Sequence, residues 1–192
     1  ETFNAAKNSP HLEAFRSRGL EVLVMSDRID EWVVTHLTEF DGKSLQAVTK
    51  ADIDLDKFTD EATKSHQEES AKNFEGVLTQ VKTCLSDQIK DARITYRLTD
   101  SPACLVTDSN DMNPHMQKIM QQAGQFIPES KPILELNPSH PFVEQLKNEQ
   151  DDERFKEWTQ ILFDQALLAE GGTLDDPASF VKNLNRLMLR ML

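Results

Sequence analysis

The most regular pattern of apolar and polar positions lies at the end of the chain. Apolar side chains recur at intervals of three and four over residues 155–169, which predicts an amphipathic helix with one apolar stripe. The pair Gly171-Gly172 is typical of a helix end, and Asp-Asp-Pro at 175–177 is typical of a helix start. In the second helix, residues 177–192, apolar side chains cover more than one face. A surface helix needs only one such stripe, so this hairpin predicts self-association.

We expect a two-fold symmetric homodimer in which the terminal hairpin, residues 155–192, packs against its copy. The large apolar side chains of both helices are the candidate dimer interface: Trp158, Leu162, Leu168, Phe180, Leu184, Leu187, Met188 and Met191. Among these, we expect Leu184, Leu187 and Met188 to be the main buried contacts.

In the first part of the chain, helical and strand-like patterns alternate. A short helix should end at Gly19, and the apolar run Leu20–Met25 has the length of a strand. A helix over 28–37 and a β-leaning stretch over 44–49 follow. Two strands are too few to form a stable sheet alone. We therefore interpret residues 1–58 as the end of a larger α/β domain.

Residues 59–192 predict an α+β domain. The stretch 59–90 contains one Gly and no Pro, and its apolar residues form one stripe of a long helix. Strand-like runs follow at 92–98, 103–107 and 132–136, with a helix at about 113–122 between the last two. A helix rich in Glu and Lys then leads into the terminal hairpin. The predicted fold is a small β-sheet with helices and a C-terminal helical hairpin.

Composition excludes several classes of partner and compartment. The 192 residues include 33 Asp and Glu against 21 Lys and Arg, a net charge of −12 that disfavours nucleic acid and anionic membranes. No run approaches the about 18 apolar residues that span a bilayer. Two cysteines without close spacing fit a reducing, cytoplasmic compartment. The first residue is Glu1 rather than Met, which suggests a fragment of a longer protein.

Two short motifs imitate ligand-binding loops, and neither is complete. Gly42-Lys43-Ser44 matches the end of a phosphate-binding loop, but Leu37 stands where that loop requires Gly. The alternating aspartates at 52–56 imitate a calcium loop, but Lys57 replaces its Gly and Thr63 its bidentate Glu. The five histidines share no zinc-ligand spacing, and no nucleophile motif appears. We predict no catalytic, cofactor-binding or metal site.

One further apolar cluster is a candidate binding surface. Met112, Met116, Ile119 and Met120 lie on one side of a short predicted helix flanked by polar loops. Such a helix can pack in its own core, or its flexible thioethers can bind partners of varied shape. For Trp32, on the helix after the first apolar run, the pattern alone favours a core position.

Several longer strings resemble the heat shock protein 90 chaperone family, in particular its bacterial branch. Residues 11–50, from HLEAFRSRG to LQAVTK, resemble the end of that family's middle domain. The strings RLTDSPACLVT, ILELNPSHP and DQALLAEGGTLDDPASFVKNLNRL resemble parts of its C-terminal domain. The similarity covers nearly the whole chain and is weakest over 59–90.

The resemblance implies the C-terminal third of an ATP-driven, dimeric, cytoplasmic chaperone that assists protein folding under stress. Residues 1–58 would end its middle domain, and residues 59–192 would be its dimerisation domain. The terminal hairpin would form a four-helix bundle with its copy. The methionine-bearing helix would project into the cleft between protomers, and Trp32 would face that cleft, partly exposed.

The resemblance also implies what this chain lacks. ATP and Mg would be bound by an N-terminal domain, and the arginine that assists hydrolysis lies upstream of Glu1, so the fragment itself would not be an enzyme. The chain ends in Arg190-Met191-Leu192, without the acidic tail that binds tetratricopeptide co-chaperones.

Two functions remain open. In the favoured one, the region dimerises and binds unfolded or partly folded client proteins through Trp32, Met112, Met116, Ile119 and Met120. In the alternative, it is a purely structural homodimerisation domain with no client contact. Exposure of the methionines would separate the two.

Overall fold

The computed structural model describes residues 3–27, 29–51, 61–108, 111, 117, 120, 124, 126 and 130–190, with backbone alone for residues 5, 31, 61–69 and 190. The helices are α1 (Phe3–Lys7), α2 (Glu13–Ser17), α3 (Asp30–His36), α4 (Glu61–Cys84), α5 (Pro141–Asn148), α6 (Asp152–Ala169) and α7 (Pro177–Arg190), with a 3-10 turn at Pro10–Leu12. The strands are β1 (Glu39–Phe40), β2 (Lys43–Ser44), β3 (Asp91–Ile94), β4 (Ala103–Val106) and β5 (Ile133–Leu136).

A three-stranded sheet with the order β3-β5-β4 forms the centre of the fold. Strand β5 runs parallel to β3, with Asp91 opposite Ile133, and antiparallel to β4, with Ala103 opposite Leu136. Every residue of β4 and β5 is buried, because helices and loops cover both faces of this small sheet. The three strands expected in residues 59–192 are thus confirmed, although each is shorter than its apolar run.

The main core lies between this sheet and the helices α4, α5 and α6. The predicted stripe of α4 supplies buried side chains at spacings of three and four residues, as helix periodicity requires: Phe74, Val77 and Val81. Leu85 and Ile89, just beyond the helix end, continue it. The mixed α+β architecture expected from the sequence is confirmed.

The terminal hairpin begins and ends where its local sequence indicates. The carboxylate of Asp151 caps α6 by accepting the N–H of Arg154 at 3.0 Å. Gly171 follows α6 with a φ of 71°, the left-handed conformation that glycine adopts readily. Asp176 caps α7 through the N–H of Ser179 at 3.0 Å. Helix stop and start signals therefore set both ends of the turn.

The strand expected at Leu20–Met25 is wrong for this chain. Those residues belong to no helix or strand of the described part of the chain, and Leu23 is 80% exposed. An apolar run becomes a strand only where a neighbouring strand takes up its backbone hydrogen bonds. Of the β-leaning stretch at 44–49, only Ser44 lies in a strand, because β2 ends there. Strand β2 pairs with β1 in a hairpin of two residues per strand.

No helix within the described ranges has both the length and the apolar character needed to cross a bilayer.

Candidate functional site

Helix α3 presents a short apolar surface, which we call the α3 surface, made of Ile29, Trp32, Val33 and Leu37. All four side chains are exposed, and that of Trp32 is 53% exposed. Pattern alone placed Trp32 in the core, which is wrong, whereas the partial exposure implied by the resemblance agrees with the structure. Among the described residues, the indole belongs to neither of the two buried hydrophobic clusters.

Several acidic residues lie close to the α3 surface along the chain, with Lys43 as a basic residue among them. The carboxylate of Asp30 accepts the N–H of Asp27 at 2.8 Å, which closes the turn leading into α3. Glu39 and Asp41 follow on the exposed β1–β2 hairpin. An exposed indole flanked by carboxylates can accept apolar and cationic side chains together.

Of the methionine cluster, the structure describes only the last residue, Met120. Met112, Met116 and Ile119 lie outside the described residues, so their exposure stays a prediction. Met120 is helical and half-buried. One turn earlier, Gln117 is buried and donates from Nε2 to Oγ of Ser130 at 2.8 Å.

Helix α7 carries the largest exposed apolar stripe of the terminal hairpin. Val181, Met188 and Leu189 are exposed, and Leu189 is 73% exposed. Their spacing, i, i+7 and i+8, places them on one side of the helix. Leu168 near the end of α6 is also exposed. We call these four residues the α7 stripe.

The α7 stripe overlaps the predicted dimer interface only in part. Leu168 and Met188 are common to both, while Phe180, Leu184 and Leu187 are half-buried against the rest of the chain. Met191 lies outside the described residues. Val181 and Leu189 were not among the predicted interface residues. They are eight residues apart and share one side of the helix with Met188, a spacing that is visible in the sequence.

Two of the predicted interface residues serve the fold of the single chain. Leu162 is 1% exposed and belongs to the main core. Trp158 is half-buried and packs on Phe142 with ring centroids 5.7 Å apart. The sequence shows that α6 has an apolar stripe, but its own sheet and α5 already cover the part that contains Leu162 and Trp158. A side chain already covered by its own chain has little surface left for a partner.

A buried carboxylate holds the segment before residue 52 against the sheet. Glu135, at the centre of β5, is 1% exposed, and its Oε2 lies 2.7 Å from Nε of Arg97. Its Oε1 accepts a hydrogen bond from Nε of Arg93 at 2.9 Å. Arg97 in turn donates to the carbonyls of Val48 at 3.0 Å and Lys50 at 3.2 Å. The two arginines therefore neutralise a buried charge and anchor an incoming backbone segment.

Cys104 lies beside this carboxylate. Its Sγ is 3.8 Å from Oε2 of Glu135. Burial raises the pKa of the Cys104 thiol well above its usual range, and the negative charge of Glu135 adds to the effect. The thiol is therefore neutral near pH 7 and unsuited to nucleophilic chemistry. Among the described residues, no three His, Cys, Asp or Glu side chains are grouped closely enough to hold a metal ion.

Comparison with known proteins places this arrangement in a family. A family model described as Hsp90 protein matches residues 1–192. Relatives named Chaperone protein HtpG are 56% identical in Pseudoalteromonas translucida and 58% identical in Dechloromonas aromatica, each over 100% of this chain. A third, from Aromatoleum aromaticum, is 55% identical over 100% of the chain. The chain spans about 30% of the length of these curated relatives. The chain therefore belongs to the Hsp90 protein family.

Proposed function

We propose that this chain is the dimerisation and client-binding region of an ATP-dependent, cytoplasmic chaperone that assists protein folding under stress. Residues 1–58 would end the middle domain, and residues 59–192 would be the C-terminal dimerisation domain. Its relatives carry the name of a chaperone and are about three times as long as this chain. ATP and Mg would be bound in other parts of the full-length protein.

The observation that supports dimerisation most directly is the α7 stripe. Monomeric proteins rarely leave a row of large aliphatic side chains exposed along a regular helix. Burying each such side chain is worth about 1.5–3 kcal/mol, and a two-fold contact buries every member twice. We therefore assign the interface to the α7 stripe, supported by the half-buried Phe180, Leu184 and Leu187, and not to Leu162.

Substitutions on this stripe test the dimer without disturbing the monomer. Val181→Asp with Leu189→Asp changes two exposed positions, so the helix content should be unchanged while sedimentation velocity shows a monomer. Leu23→Asp is the matched control, because it places the same charge at an exposed leucine outside the hairpin. A double variant that still sediments as a dimer would move the interface elsewhere.

Client binding is supported by the exposed, acid-flanked α3 surface. Together with Met112, Met116, Ile119 and Met120 it would offer apolar contacts to a partly unfolded chain. Unbranched thioethers and an indole adapt to many side chains, and the acidic surround favours clients with basic residues. Dimerisation would double the sites and raise the effective concentration of each for a client that spans both.

The client surface is tested in the full-length protein by fluorescence anisotropy of a labelled, unfolded, basic polypeptide. Trp32→Ser and a triple replacement of Met112, Met116 and Met120 by Ser should each weaken binding. Dimer mass and thermal midpoint should stay nearly unchanged. If the triple variant instead melts many degrees lower, the methionines are core residues. That result would support the alternative, a purely structural homodimerisation domain.

A further inference from the structure

Residues 9–14, which we call the strap, contact the C-terminal half of the chain at two separate places. Ser9 starts a 3-10 turn by accepting the N–H of His11 on its hydroxyl at 3.3 Å. Leu12 and Ala14 are buried, so the strap lies in a groove of the fold and not on its surface. The strap contacts the loop after β3 at one end and the turn of the terminal hairpin at the other.

At one end, Glu13 holds the loop between β3 and β4. Its Oε2 accepts the backbone N–H groups of Thr99 at 2.7 Å, Asp100 at 2.9 Å and Ser101 at 3.1 Å. Its Oε1 accepts the Ser101 hydroxyl at 2.5 Å. Burial by itself would raise the pKa of Glu13, but these hydrogen bonds together lower it. A single carboxylate thus accepts three consecutive backbone N–H groups and one hydroxyl of this loop.

The backbone of the strap continues this attachment. The N–H of Ala14 donates to the carbonyl oxygen of Arg97 at 3.1 Å. Arg97 is the residue whose side chain pairs with the buried Glu135. The strap is therefore tied to the sheet at the position where the buried charges lie.

At the other end, His11 meets the elbow of the terminal hairpin. His11 is fully buried, and its Nε2 lies 2.8 Å from Oε1 of Glu170. Glu170 is the last residue before Gly171, and its N–H still bonds to the carbonyl of Ala166 at 3.1 Å. The imidazole therefore contacts the point at which α6 ends and the chain turns toward α7.

The elbow itself is closely packed. A Cβ atom at Gly172 would lie 2.8 Å from the carbonyl oxygen of Leu167 and 2.5 Å from Cδ1 of the same residue. The N–H of Gly172 bonds to that carbonyl at 2.9 Å. Only glycine therefore fits at position 172, and the turn that follows Glu170 is packed directly against the last turn of α6.

The contact at the elbow is incompletely satisfied. Nε2 of His11 and Oε1 of Glu170 lie close together but without hydrogen-bond geometry, so both ring nitrogens and this carboxylate oxygen are buried without a hydrogen-bond partner among the described residues. Buried polar groups without partners oppose the stability that the contact provides. The strap is therefore held by four hydrogen bonds at Glu13 and by an incompletely satisfied contact at His11, so the contact with the elbow is the weaker of the two.

We propose that the strap is a conformational coupling device: its docking by Glu13 sets the position of the elbow through His11 and Glu170. Release of the strap loosens Gly171 and Gly172 and thereby the orientation of α7. In this way the first part of the chain controls the helix that carries the α7 stripe. The contacts that carry the coupling lie within one chain and do not depend on the proposed function. Only the effect of the strap on the dimer rests on the proposed function.

Hydrogen exchange measured by mass spectrometry tests the coupling in both the 192-residue chain and the full-length protein. Glu13→Ala removes all four hydrogen bonds at a helix position that accepts alanine. Peptides covering 97–102 should exchange faster, and so should peptides covering 168–174, by about tenfold. Glu21→Ala, at an exposed position outside the strap, is the matched control. Faster exchange at 97–102 alone would reduce Glu13 to a local loop cap and overturn the proposal.

The reverse experiment uses the thermodynamic reciprocity of coupled sites. Glu170→Gln, at a partly exposed position, changes the elbow without the risk of unfolding that attends the fully buried His11. It should speed exchange at Ala14 and at 97–102, and no change there would overturn the proposal. The Val181→Asp, Leu189→Asp monomer should show the same coupling. A failed dimer test would therefore overturn the proposed interface, whereas a failed exchange test would overturn the coupling through the strap.

Discussion

Glu135→Gln should be one of the most destabilising single substitutions in this chain that leave side-chain volume unchanged. It removes the charge that neutralises Arg97, which is 5% exposed and cannot regain water without unfolding. Removing one partner of a buried ion pair costs about 3–5 kcal/mol. Arg93 is more exposed and can turn toward solvent, so we place the loss in the lower half of that range. For a chain of this size the melting temperature should fall by roughly 6–16 °C.

Urea unfolding followed by tryptophan fluorescence measures this loss. Trp158 packs on Phe142 beside the main core, so its emission reports unfolding, whereas the exposed Trp32 adds a nearly constant signal. The measurement belongs in the Val181→Asp, Leu189→Asp background, because dissociation of the proposed dimer would otherwise make the midpoint depend on concentration.

A double-mutant cycle separates the ion pair from other effects. Glu135→Gln combined with Arg97→Met should cost less than the sum of the two single losses by about 1–3 kcal/mol, since the second change removes an arginine already left unpaired. The single loss should remain at ionic strengths that screen surface charges. A single loss below about 1 kcal/mol, or strict additivity, would refute the view that these residues act as a buried unit.

Three further outcomes follow from burial and charge. Burial raises the pKa of both thiols, and it raises that of Cys104 far more than that of the partly exposed Cys84. A thiol reagent near neutral pH should therefore label Cys84 slowly and Cys104 only after unfolding. Labelling of Cys104 in the folded chain, detected by mass spectrometry, would contradict this. Because the folded pKa of Glu13 is lowered, its stabilisation is complete above the ordinary glutamate pKa of about 4.3 and is lost as pH falls through the folded value. The unfolding free energies of wild type and Glu13→Ala, measured by urea titration, should therefore differ at pH 7 and converge in acid; a constant difference would be the opposing result. Leu162→Ala should cost about 2–5 kcal/mol of monomer stability without changing the sedimented mass, and a monomer of normal stability would return Leu162 to the interface.

The sequence by itself determined where the helices of the terminal hairpin begin and end at their turn, because these limits depend on residues close by in the chain. The ends of α6 and α7 follow from Asp151, Gly171 and Asp176, because caps and left-handed positions act within one turn of the chain. The buried stripe of α4 and the three strands of the sheet follow from periodicity, which records which residues share a face. These features required no knowledge of distant segments.

Only the tertiary structure decided which faces are covered, and by what. Leu162 and Leu189 look equivalent in the sequence, yet the first is buried in the main core and the second is left exposed by the described part of the chain. Trp32 has a core pattern but joins neither of the buried clusters found among the described residues. Glu135 is a charged residue in an apolar run, and its burial became possible only when Arg93 and Arg97 arrived from another strand and the segment after it. Periodicity indicates which residues share a face, but the residues that cover that face come from distant parts of the chain.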